Sequence, residues 1–194
     1  MPDYAVKIIE QDADSVTIGG YGVVFGGVDL QGETFDQDTD FMPDLVPAKL
    51  VMYDHGQQEV KHVLGKTISE LADDTGVWVE AQLDRHQSYV KEILKLIEEK
   101  IIGWSTGSVG HLVERDEGVI KRWPVVEYSL TPTPAEPRTL GVERIKALAK
   151  DNPHLEALLP QETGEVSSAD ATGDNKAGES EQIQLKARAM LALD

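Results

Sequence analysis

The side chains that could do chemistry in this chain are a serine set between glycines, a small number of histidines, and a carboxylate placed inside an apolar run. Ser105 lies in Gly103-Trp104-Ser105-Thr106-Gly107. A serine hydroxyl is a poor nucleophile unless a base within hydrogen-bond reach takes its proton and there is room for a substrate carbonyl. The flanking glycines are read as supplying that room. The plainer use of such a serine is a turn or C-cap residue. The base must come from elsewhere, and the chain holds five histidines. His55 ends the run Lys49-Leu50-Val51-Met52-Tyr53-Asp54-His55-Gly56, where a strand opens into a loop. Its ordinary pKa lies close to working pH, as proton transfer from a hydroxyl requires. His62, just beyond, competes for the same role, and capping a strand end is the bland use of either. Glu127 sits in Trp123-Pro124-Val125-Val126-Glu127-Tyr128-Ser129-Leu130. A carboxylate there is costly to bury unless something pairs with it. It either orients a histidine or faces water from a two-sided strand.

The elements that must position these groups follow from side-chain periodicity. Val90, Ile93, Leu94, Ile97 and Ile101 recur at helical spacing within His86 to Ile101, with Lys91, Glu92, Lys95, Glu98 and Glu99 on other faces. That pattern predicts a helix packed on a core, with Asp84 as its N-cap. Trp104 to Val113 is glycine-rich and then β-branched, which predicts an extended segment beginning at Ser105. The nucleophile elbow of an α/β-hydrolase runs from strand to helix, and here the order is reversed. Such a fold also needs a histidine well after the serine, and only His111 and His154 follow. Short strands are predicted at Val6 to Glu10 and Ser15 to Ile18, around the turn Gln11 to Asp14, and onward through Gly19 to Gly27. A second hairpin joins Val63 to Ile68 with Val77 to Ala81 through Asp73 to Gly76, and a further strand covers Val119 to Leu130. The prolines of Thr131 to Pro137 end the regular sheet, and Val142 to Lys150 is a short helix. The fold class is mainly β: an antiparallel β-barrel flanked by α-helices.

Composition narrows the function classes. A formal net charge of -17 argues against a nucleic-acid partner, since phosphate binding rests on cation clusters. There is no cysteine, which removes disulfides, thiolate metal sites and cysteine catalysis. Neither a signal peptide nor a spanning helix is read, so the expectation is a soluble intracellular protein without a membrane partner. Asp29, Glu33, Asp36, Asp38 and Asp40 lack the spacing and glycine of a calcium loop, and are read as a solvated loop. No metal or cofactor is assigned. Residues 1–150 are read as the barrel domain. Residues 151–194 are read as a disordered acidic tail, too polar to offset the entropy of ordering.

Five segments, taken in order, resemble the tailed-phage prohead protease family, capsid-maturation serine proteases similar to herpesvirus assemblins. They are G-Y-G-V-V-F-G-G-V-D-L-Q-G-E-T-F, Y-D-H-G with V-L-G-K, G-V-W-V-E-A-Q-L, G-W-S-T-G, and W-P-V-V-E-Y-S-L-T-P-T-P-A-E-P. The resemblance spans roughly Val16 to Leu140. It implies a herpesvirus-protease-like barrel with His55 as catalytic base, Ser105 as nucleophile and Glu127 as third member. His111 is the alternative third member, because assemblin-like enzymes can use a second histidine, and Ser108 is the rival nucleophile. The implied substrates are the scaffolding segment or delta domain of the major capsid protein, other prohead components, and the protease itself, cut in its tail. The implied place of action is the procapsid in the host cytoplasm, and assemblin relatives work as homodimers. The competing function is a noncatalytic capsid assembly factor, to which the acidity and the tail are equally suited.

Overall fold

The computed structural model describes residues 3–56 and 63–150. The first hairpin is made by β1 (Lys7–Gln11) and β2 (Ser15–Val24). Its turn is held by Asp12, whose Oδ1 accepts the N–H groups of Asp14 and Ser15 at 2.8 and 2.7 Å. After β3 (Leu50–Tyr53), β4 (Val63–Ala72) and β5 (Gly76–Asp84) form the second hairpin. There Asp73 Oδ1 accepts from Thr75 and Gly76. Both turns are closed by an aspartate bonding backbone just ahead of it, the property that favours this residue in turns.

The helix α1 (Ser88–Glu98) is shorter than its apolar pattern at both ends. Asp84 is not its N-cap. It closes β5, and its carboxylate accepts the N–H of His86 at 2.9 Å and the side chain of Gln87 at 3.2 Å. At the other end Lys100 adopts the left-handed conformation (φ 55°). The N–H of Lys100 bonds to Ile97 C=O and that of Ile101 to Leu96 C=O, a Schellman closure with lysine where glycine is usual. This stop turns the chain straight into β6 (Gly103–Ser108). Val90, Ile93, Leu94 and Ile97 join Val16, Ile18, Val79, Ala81 and Leu83 in the core.

The expected single strand from Val119 to Leu130 is broken. β7 (Glu114–Asp116) and β8 (Val119–Arg122) form a separate hairpin, and β9 (Val125–Thr131) belongs to the main sheet. Pro124 explains the interruption, since it has no N–H to give a ladder. The helix α2 (Val142–Ala149) buries Ile145 and Ala149, with Leu148 half-buried.

The fold is mainly β, and the main sheet has seven strands in the order β1-β2-β5-β4-β3-β9-β6. Neighbours are antiparallel except β3 and β9, which run parallel. The sheet curls until β6 and β9 face β2, with a Cβ on Gly22 falling 2.5 Å from Tyr128 Cε1. No ladder joins β2 to β6, so the expected β-barrel is a curled half-barrel, mostly antiparallel with one parallel pair. Edge groups that closure would need are otherwise engaged. Thr139 donates to the Trp104 carbonyl at 3.1 Å, and Arg138 donates to the carbonyls of Val24 and Phe25, each at 3.3 Å. Among the described residues no helix is long and apolar enough to cross a membrane. His62 and residues 151–194 lie outside the described residues.

Candidate active site

The parallel pair is what assembles the site. β3 delivers its C-terminal end beside β9, and the chain then turns sharply, with Asp54 and His55 both left-handed (φ 51° and 53°). Aspartate and histidine tolerate this region better than most residues with a Cβ. On the far side of β9, β6 pairs Ser105 with Ser129 and Gly107 with Glu127. Directly opposed residues in an antiparallel pair share a face of the sheet. Ser105 and Glu127 therefore project to the same side as the turn.

The three side chains meet in a line. His55 Nε2 lies 3.0 Å from Ser105 Oγ, and His55 Nδ1 lies 2.7 Å from Glu127 Oε1. An ionised carboxylate can only accept, so Nδ1 carries the proton. In the neutral imidazole this leaves Nε2 free to accept from the serine hydroxyl. Glu127 has 2% of its side chain exposed and His55 41%, so the carboxylate is sealed beneath a ring that solvent and substrate can reach. The hydrogen bond to Glu127 holds the His55 pKa above its ordinary 6.5 against burial, and the charges of Glu127 and Asp54 act in the same direction.

A cavity of about 240 Å³ opens beside Ser105, with Val23, Phe35, Thr106 and Trp123 among its walls. Trp123 packs edge-on to Phe35 at 5.5 Å between ring centroids and donates its indole N–H to Thr106 Oγ1 at 3.0 Å. The ladder also fixes which amides face this space. Leu130 gives its carbonyl to Asp54 on the β3 side, so Ser129 turns its backbone groups to β6 and meets those of Ser105. By the same alternation Thr106 turns its N–H outward, one residue beyond the hydroxyl.

A family model for the caudovirus prohead serine protease matches residues 3–151. The chain belongs to that family. No curated protein sequence matches it. The chain is thus a member of a serine peptidase family, hydrolases of phage capsid maturation.

Within the protease the rival residues are otherwise placed. Ser108 Oγ donates to the Pro124 carbonyl at 2.8 Å. His111 lies on the exposed 3-10 turn Gly110–Leu112, and it is Glu127 that occupies Nδ1 of His55. The glycines of the motif do something other than leave space for substrate. A Cβ on Gly107 would fall 2.1 Å from Glu127 Oε1, and one on Gly103 would fall 2.4 Å from Thr139 Oγ1. Both clear room for the protein's own buried groups. In the acidic loop, Asp29 Oδ1 accepts the N–H groups of Gln31 and Glu33, and Asp36 Oδ1 accepts that of Asp38. These carboxylates fasten turns, and the described residues contain no cluster of potential ligands that could hold a metal ion.

Sequence reasoning missed Ser129. Its hydroxyl, fully buried, donates to Glu127 Oε2 at 2.7 Å and accepts the His55 N–H at 3.1 Å. The available signal was the spacing Glu127-Tyr128-Ser129, which on a strand sets carboxylate and hydroxyl on one face.

Proposed function

We propose that Ser105 is the nucleophile, His55 the general base and acid, and Glu127 the orienting carboxylate of a serine endopeptidase housed in residues 1–150. The observation that carries this is the continuous chain from Ser105 Oγ to His55 to Glu127, at 3.0 and 2.7 Å. His55 Nε2 takes the hydroxyl proton as Ser105 Oγ attacks the peptide carbonyl, and returns it to the leaving amine as the C–N bond breaks. Water then attacks the acyl-enzyme carbonyl, giving a proton to Nε2, and Nε2 passes that proton to Ser105 Oγ as the ester C–O bond breaks. Glu127 keeps the imidazole in the productive tautomer and stabilises the imidazolium. The outward N–H of Thr106 is the backbone donor best set to receive the oxyanion; losing one such donor costs on the order of 10²–10³ in rate.

The substrates proposed are the scaffolding segment or delta domain of the major capsid protein and the protease's own C-terminal tail, cut inside the procapsid in the host cell. Family membership supports capsid precursors as a class. The small, polar composition of residues 151–194 supports self-cleavage there, since proteolytic nicking favours segments of small and polar residues. The test is mass spectrometry of wild-type and Ser105→Ala protein, alone and mixed with capsid precursor. Fragments of both proteins are expected with wild type and neither with the variant. Cleavage by Ser105→Ala would remove Ser105 from the nucleophile's role.

A further inference from the structure

β9 presents Glu127, Ser129 and Thr131 on one face, since alternate residues of a strand point the same way. All are buried. Each engages the turn that carries the imidazole, but at a different level. Glu127 takes the ring through Nδ1 at 2.7 Å. Ser129 takes the backbone N–H of His55 at 3.1 Å. Thr131 Oγ1 donates to Asp54 Oδ1 at 2.7 Å. The turn they grip has two successive left-handed residues with Cβ atoms, a conformation disfavoured by local sterics that persists only where surroundings over-determine it. Ser129 alone of the three touches both halves of the pair, because its hydroxyl hydrogen goes to Glu127 Oε2 at 2.7 Å while its lone pair receives His55 N–H.

We infer that Ser129 is a positioning residue of the reaction, its hydroxyl locking the His55 backbone and the Glu127 carboxylate in one register so that Nδ1 and Oε1 stay in contact. The inference rests on the roles proposed above for His55 and Ser105, and it adds a fourth side chain through which those roles are maintained. Without that hydroxyl the His55 N–H and Glu127 Oε2 both lose their partner inside the protein, and the turn is free to relax away from the carboxylate. Nothing in Ser129 touches substrate or the reacting atoms. Its effect on rate comes from geometry, where displacement of about 1 Å can cost on the order of 10²-fold.

The test uses full-length Ser129→Ala and Ser129→Thr with two readouts. One is kcat and KM on a peptide spanning a mapped cut site. The other is the His55 titration midpoint, followed by NMR in the Ser105→Ala background, where no self-cleavage intervenes. The charged groups facing the ring are Glu127 and Asp54, and both hold the midpoint up. In Ser129→Ala, kcat is expected to fall by up to about 10²-fold with KM unchanged, and the midpoint to drop toward the ordinary 6.5. Ser129→Thr, which keeps the hydroxyl, is expected to restore both. Should Ser129→Ala fail to fold, Ser129→Cys, similar in size but a weaker donor, is expected to lower the midpoint part of the way. A midpoint in the alanine variant equal to that of the unsubstituted serine protein would overturn the inference whatever happens to kcat, because the pair would then hold without the hydroxyl. That midpoint can be read whether or not Ser105 is the nucleophile, so a failure of the peptidase assignment would be seen separately, in the cleavage assay.

Discussion

A sealed carboxylate holding a half-exposed imidazole has consequences that can be worked through in sign. The folded His55 pKa stands above 6.5, chiefly through its hydrogen bond to Glu127. The stability contributed by this pair is therefore complete below the ordinary pKa and is lost as pH rises through the folded one. Catalysis needs the opposite state, since His55 must be neutral to accept the Ser105 proton. The acid limb of kcat/KM is expected to have its midpoint above 6.5. Glu127→Gln removes the charge and puts an N–H donor in place of one carboxylate oxygen, leaving burial to pull the pKa down. The limb should then move to lower pH while the plateau falls by about 10⁴-fold, because an amide can hold the wrong tautomer. An unmoved limb, measured across buffers of constant ionic strength, would mean that Glu127 does not govern the imidazole. At this scale the candidates were legible in the sequence, Ser105 by its glycines, His55 by its place at a strand end and Glu127 by its cost inside an apolar run, but only the family resemblance grouped the three into one proposed site. Ser129 was legible only as sharing a strand face with Glu127; its bond to the His55 N–H depends on the turn after β3, which no local pattern shows.

The elements explain why these residues recur at these spacings. α1 ends in a left-handed lysine rather than running on to Ile101, and that early stop lets β6 begin at Gly103, two residues before the hydroxyl. Apolar periodicity carried the helix too far because Ile101 and Ile102 continue the hydrophobic pattern after the backbone has left the helix. Pro124 is the converse case. Its missing N–H divides the predicted strand into β8 and β9, and the division sets Glu127 on β9, between β3 and edge strand β6. Gly107 ties the two strands of the site together, since its hydrogen occupies the place where a methyl would meet Glu127 Oε1 at 2.1 Å. Gly107→Ala is expected to displace the carboxylate and reduce kcat by about 10²-fold, with an overpacking cost of roughly 1–3 kcal/mol in stability. Denaturant unfolding and steady-state kinetics measured together would check it. Full activity in that variant would show that the carboxylate's position is not critical.

For the whole molecule, the half-barrel accounts for the choice of site. A sheet closed by ladder bonds would bury β6 between two neighbours, whereas here β6 keeps one edge for the cavity beside Ser105. The first two hairpins were readable from alternation and turn residues, while the break at Pro124 was not. The parallel β3–β9 pair was not readable either, because it depends on a crossover through β4, β5, α1, β6, β7 and β8 that local patterns do not encode. The net charge of -17 is spread through the chain and leaves the chemistry to the groups around His55. Exposing the protease to a fluorophosphonate probe and mapping the adduct by peptide mass spectrometry examines the assembled nucleophile most directly, since the reagent reports an activated serine without any choice of substrate. A single adduct on Ser105, absent from His55→Ala, is expected. An adduct on Ser108 instead, or undiminished labelling of Ser105 in His55→Ala, would contradict activation of Ser105 by His55.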